Sequence, residues 1–222
     1  YLQEEVQHEG LTRNLAGFAR FLEAASFSQG SVINISAIAQ ECAVERKSVE
    51  NYFSILEDLL IAYFLPVFTK RAKRRLIAHP KFYFFDVGVY RTLRPMGPLD
   101  TPQEADGASL ETLFLQEFKA INAYLELGYE IFYWRTSDGV EVDFILYGQK
   151  GIKAFEIKRS AKVLSFHLRG LKTFRNDYPA AECYFLYGGN KVLNMDGIHI
   201  IPIEQSLGEL PKILGCPSKK IV

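Results

Sequence analysis

The chain has 222 residues, of which 48% are hydrophobic and 23% charged, enough apolar material for one good core or two modest ones, and two are expected. Its 26 Lys and Arg balance 26 Asp and Glu, so any nucleic-acid contact must come from a local basic patch and not from the overall field. There is no stretch of roughly 18 apolar residues and no signal-peptide pattern, which argues against a membrane helix and leaves a soluble, cytoplasmic protein as the expectation. Cys42, Cys183 and Cys216 fit neither a zinc-ligand spacing nor a disulfide framework and read as reduced thiols. No G-x-x-x-x-G-K-[ST] is present, so this chain cannot build the phosphate-cradling loop of a Walker ATPase.

The front of the chain is α-rich. Leu15, Phe18, Ala19 and Leu22 recur at helical spacing, and Phe27-Ser28-Gln29-Gly30 ends that helix. Ile35, Ile38, Ala39 and Cys42 make a short stripe, Ala43-Val44-Glu45 a turn, and Val49, Phe53, Leu56 and Leu60 a longer stripe. That is a helix-turn-helix pattern. Residues 61–69 and 80–86 are apolar and aromatic and read as two strands, and the loop Lys70-Arg71-Ala72-Lys73-Arg74-Arg75 between them adds a basic wing. In a winged helix that binds DNA, the second helix enters the major groove and the wing touches phosphate. Arg46, Lys47, Ser48 and Asn51 lie on the first turns of that helix; Arg46, Lys47 and Asn51, with Lys70, Arg71, Lys73, Arg74 and Arg75, are the candidate nucleic-acid contacts. Glu50, Glu57 and Asp58 dilute the helix's positive charge, and a protein-docking role for the same module stays open.

Residues 97–107, GPLDTPQEADG, read as a linker, which divides the chain into 1–96, 97–107 and 108–222. Leu110, Leu113, Phe114, Phe118, Ile121 and Leu125 then mark an amphipathic helix ending at Gly128, with Glu111 and Glu117 on it. Strands are expected over 130–135, 140–147, 152–159, 183–187 and 198–202, with helices over 166–176 and 207–214. Trp134 reads as core, Arg135 as a phosphate contact or a buried ion-pair partner, and Arg159, Lys162, His167 and Arg169, which continue the positive character past Lys158, as solvated surface or a path for substrate phosphates. His8, His79, His167 and His199 show no metal or nucleophile spacing and receive no catalytic role.

The chemistry concentrates in residues 140–160, VEVDFILYGQKGIKAFEIKRS. Alternation puts Glu141 and Asp143 on one face of the first strand, opposite Val142, Phe144 and Leu146, and groups Ala154, Glu156 and Lys158 on the second. If 148–151 form a turn with Tyr147 opposite Ile152, Asp143 lies across from Glu156 and Glu141 across from Lys158. Such an oxygen-rich site suits Mg²⁺ or Mn²⁺ with an ammonium beside it, and that combination suits phosphodiester hydrolysis. A solvated, salt-bridged strand face is the plainer alternative.

The spacing D-x₁₂-E-x-K resembles the PD-(D/E)XK nuclease superfamily. The resemblance implies Asp143, Glu156 and Lys158 as catalytic residues and Asp143, Glu156 and Glu111 as metal ligands, with the Ile157 carbonyl a further candidate. The proline that often precedes the aspartate is replaced by Glu141-Val142. Beyond the motif, YLQEEVQHEGLTRNLAGFARFLEAAS (1–26), NISAIAQECAVERKSVENYFSILEDLLIAYFLP (34–66), HPKFYFFDVGVYRTL (79–93), SLETLFLQEF (109–118), YWRTSDGVEVDFIL and FEIKRS resemble the C-terminal half of a family of prokaryotic AAA-superfamily ATPases. That resemblance implies a winged helix-turn-helix followed by a restriction-endonuclease-like mixed sheet flanked by helices. ATP would bind only in an N-terminal half that this chain lacks, since residues 1–14 resemble its tail. The expected function is DNA docking with a Mg²⁺- or Mn²⁺-dependent nuclease-like site; the alternative is a non-catalytic interaction domain of the ATPase. Expected partners are nucleic acid, DNA foremost, and the ATPase domain, with homo-oligomerisation left open and no membrane.

Overall fold

The first helix, α1 (Leu15–Ser26), starts where Asn14 turns its side-chain oxygen onto the amide of Gly17, 2.9 Å away. The computed structural model describes residues 12, 14–97 and 101–216; the ATPase-like tail at 1–14 and part of the linker lie almost wholly outside them. After β1 (Ser31–Val32), Asn34 caps α2 (Ile35–Glu41) in the same way, accepting from Ala37 at 3.1 Å. The chain then turns through Ala43, whose φ of 52° is left-handed, and Val44 reaches back to the Ala39 carbonyl at 3.1 Å. From there α3 (Arg46–Asp58) leads into β2 (Ala62–Leu65), β3 (Lys81–Phe84) and α4 (Val87–Leu93). The three strands form one sheet in the order β1-β3-β2. Its core is aromatic: Phe21 meets Phe53 edge-on at 4.8 Å, and Phe53 meets Phe82 at 5.2 Å. The two-helix turn expected between 35 and 60 is present, whereas β1 and α4 were not foreseen.

Part of the segment read as a linker, residues 102–107, is helical. Helix α5 (Pro102–Tyr124) opens inside it, because proline is favoured at a helix's first position and Glu104 complements the dipole there. The division into units is also interleaved. One unit takes residues up to Phe64 with Pro80–Thr112; the other takes Leu65–His79 with the residues from Leu113 on.

The second unit is a six-stranded mixed sheet in the order β4-β5-β6-β7-β9-β8, made of β4 (Glu130–Arg135), β5 (Glu141–Gly148), β6 (Gly151–Lys158), β7 (Ala181–Tyr187), β8 (Leu193–Met195) and β9 (Ile198–Pro202). The β4/β5/β6 and β8/β9 pairs are antiparallel, while β6/β7 and β7/β9 are parallel. A 3₁₀ turn (Ser165–Leu168) and α6 (Arg169–Asp177) supply the crossover from β6 to β7, and α7 (Ile203–Ile213) follows β9. One face of the sheet packs Trp134, Val142, Ile145, Ala154 and Phe185 against Leu168, Leu171 and Phe174. On another part of the sheet, Phe118 of α5 packs on Phe144 and Phe155, at 5.5 and 4.7 Å.

The strand expected over 61–69 stops at Leu65, since Pro66 has no N–H to continue a ladder. The following segment lies along β4 instead: the Pro66 carbonyl accepts from Tyr133 at 3.0 Å and Phe68 donates to the Tyr133 carbonyl at 2.7 Å. Phe68 is fully buried against Phe132, Tyr147 and Tyr178. Further along, Ile77 donates to Arg135 at 3.0 Å and Leu76 bridges Thr136. The basic loop therefore belongs to the second unit and does not stand off the first as a free wing.

Candidate functional site

Alternation in β5 is broken at its functional residue. Phe132 pairs with Ile145 and Trp134 with Val142, so Asp143 and Phe144 together face Tyr133 in a β-bulge. The bulge corrects the expected facing: Val142 and Ile145 enter one core while Phe144 packs on Phe118. The hairpin register is as expected from Gly148↔Gly151 through Tyr147↔Ile152 to Phe144↔Phe155, and the ladder ends one residue before Asp143. There the Asp143 carboxylate takes over, accepting the Ile157 N–H at Oδ2 over 2.8 Å.

Lys158 closes the group. Its Nζ lies 2.8 Å from Glu156 Oε1 and 3.6 Å from Asp143 Oδ2. Asp143 is 4% exposed and Glu156 7%, so two buried carboxyl groups share one ammonium. The β5/β6 ladder ends before the expected Glu141–Lys158 pairing, and Glu141 Oε2 lies 3.3 Å from Arg135 Nη1 in a partly exposed ion pair. Gly170, at the start of α6, makes the close packing possible: a Cβ there would fall 2.0 Å from the Glu141 carbonyl oxygen.

His167, grouped by sequence only with the basic residues that follow Lys158, borders the cluster. Its Nδ1 accepts from the Leu164 amide at 3.3 Å, and its ring stacks on Phe185, the β7 partner of Glu156, at 5.9 Å and 15°. Burial, and then the Lys158 ammonium, hold its pKa below the usual imidazole value, which favours the neutral ring at pH 7.

The remaining candidates are placed as follows. Glu111 belongs to the first unit, where the Tyr83 hydroxyl donates to its Oε2 at 2.9 Å. Among the described residues no three His, Cys, Asp or Glu side chains gather into a metal-holding group, so Asp143 and Glu156 are the carboxylates brought together. Lys47 and Asn51 are exposed on α3, and Arg46 pairs with Glu50 at 3.0 Å. In the basic loop, Lys70 pairs with Glu130 at 2.5 Å and sits 4.3 Å over the Tyr147 ring. Arg74 makes a two-pronged bond to Asp177, at 2.5 and 2.7 Å. Arg71, Lys73 and Arg75 are exposed. No described helix is long and apolar enough to cross a membrane.

Comparison with known proteins adds family-level likeness. No curated protein matches the chain. Among solved structures, the crystal structure of protein VC1899 from Vibrio cholerae is similar at 14% identity and a TM-score of 0.39, over 96% of this chain and 55% of that one. The chain thus spans about half the length of that protein. Residues 1–100 match the model described as Domain of unknown function (DUF8612), and residues 106–206 match Domain of unknown function (DUF4143).

Proposed function

We propose that the second unit is a restriction-endonuclease-like domain that hydrolyses phosphodiesters at Asp143, Glu156 and Lys158 with Mg²⁺ or Mn²⁺, and that the first unit is a winged helix-turn-helix that docks it on DNA. The observation that carries this reading is the shared ammonium: two buried carboxyl groups converge on Lys158 at a bulge. Hard oxygen donors suit a small divalent cation, which keeps several waters and so needs few protein ligands. Asp143 and Glu156 would hold it, with the Ile157 carbonyl a further donor. When bound, such an ion supplies a polarised phosphoryl oxygen and an acidified water. Asp143 is oriented for this by the Ile157 amide, and the Lys158 ammonium is placed to offset charge that builds on the phosphoryl oxygens. The likeness to the C-terminal half of AAA-superfamily ATPases makes an ATPase domain the expected partner.

Metal-dependent melting and cleavage test the reading. Mn²⁺ or Mg²⁺ should raise the melting temperature of the wild type by relieving carboxylate repulsion, and Asp143→Ala or Glu156→Ala should remove the shift. Lys158→Ala should keep the shift and lower cleavage by about two orders of magnitude or more. Neither shift nor cleavage of duplex, single-stranded or RNA substrates would leave a non-catalytic interaction domain as the better account.

A further inference from the structure

Beside the carboxylate cluster lies a segment with an unusual charge pattern. Between Glu156 and Asp177 there is no acid, while Lys158, Arg159, Lys162, Arg169, Lys172 and Arg175 are basic. In the middle of it the 3₁₀ turn holds Phe166 out at 66% exposure, with Leu164 beside it at 45%. The Phe166 ring stands 4.3 Å from His167 at 70°, and His167 in turn stacks on Phe185, the register partner of Glu156. A line of rings therefore runs from the surface to the strand residue next to the carboxylates. Arg159, Lys162 and Arg169 are exposed around it.

We infer that Phe166 is a stacking shelf for an unpaired nucleobase, and that this site takes single-stranded nucleic acid. The inference rests on the phosphodiester reading and narrows it to a substrate class. An exposed aromatic flanked by cations is the arrangement single-strand binders use: the cations follow the phosphates and the ring receives a base face. A base inside a duplex has both faces covered by its neighbours, so the shelf selects for bases that have left the stack. Lys158 and Lys172 are held by carboxylates, Lys172 by Asp196 at 2.7 Å, so the exposed Arg159, Lys162 and Arg169 are the cations that suit a polyanion here.

The test is binding by the full chain in EDTA, where cleavage is suppressed, to oligo(dT), oligo(U) and a duplex of equal length, each carrying 2-aminopurine as a fluorescent stacking probe. Tighter binding of the single strands is expected, with quenched 2-aminopurine. Phe166→Ala should weaken single-strand binding about tenfold or more and relieve the quenching, Phe166→Trp should preserve both, and duplex binding should be unmoved. The ratio of the dT and U arms reports which backbone is preferred. Equal losses on single strand and duplex, no loss on either, or no single-strand binding by the wild type would overturn the inference. Phe166-dependent binding without Mn²⁺-dependent cutting would keep the shelf and defeat the nuclease reading, and cutting indifferent to Phe166→Ala would do the reverse.

Discussion

Arg74→Ala is the substitution on which the basic loop's role turns. Arg74 holds Asp177 with two bonds, and the Asp177 side chain is only 7% exposed at the last residue of α6, where the helix dipole disfavours a negative charge. Removing one partner of a fully buried pair costs about 3–5 kcal/mol, because the other charge is stranded. The Arg74 side chain is 40% exposed, so water screens part of the interaction and about 2–3 kcal/mol is the expected loss. Trp134 is the chain's single tryptophan and packs edge-on against Phe174 of α6 at 5.4 Å, so its fluorescence in urea reports this unit directly. Asp177→Asn should cost less, and the double variant Arg74→Ala/Asp177→Asn should recover more than about 1 kcal/mol relative to Arg74→Ala alone. A single-variant change within about 0.5 kcal/mol, with no coupling, would refute the structural role and return Arg74 to the pool of phosphate contacts.

If the loop does meet phosphate, Arg71, Lys73 and Arg75 carry that contact: neutralising all three should flatten the plot of log K against log salt by up to about 0.9 per lost contact, while Lys70→Ala leaves it unchanged. Gly170→Ala forces a Cβ onto the Glu141 carbonyl oxygen and should cost about 1–3 kcal/mol in the urea titration and diminish the Mn²⁺ melting shift. Gly208→Ala in α7, where a Cβ meets nothing within 4 Å, should instead stabilise by about 0.5–1 kcal/mol.

Most strands of the second unit were legible because they are apolar runs bounded by turn residues, and the β5/β6 register followed from the four residues that close the hairpin. The bulge at Asp143 was not legible. It depends on how β4 pairs with β5, and no periodicity within β5 records the pairing of its neighbour. The approach of Lys158 to Asp143 was hidden for the same reason, as was the ion pair of Glu141 with Arg135. His167 was read only as part of the basic run after Lys158, because its partners, Phe185 and Lys158, come from separate strands and leave no local spacing. The basic loop misled because a charge run reads identically whether it meets solvent, phosphate or carboxylates distant in sequence; Glu130 and Asp177 decide between these.

The path of residues 65–79 bears on how this protein can be dissected. A cut between the two family-matched segments, near residue 103, looks like a clean separation on the sequence. It would leave the strip that lines β4 on the wrong fragment, taking Phe68 out of the core and Arg74 away from Asp177. The C-terminal piece would then present β4 as a bare, aromatic sheet margin bearing Phe132 and Trp134, the kind of edge that recruits other chains into aggregates. An excised C-terminal piece that precipitates would be reporting a missing strip of its own sheet, and activity assays are sound only on protein that retains 65–79.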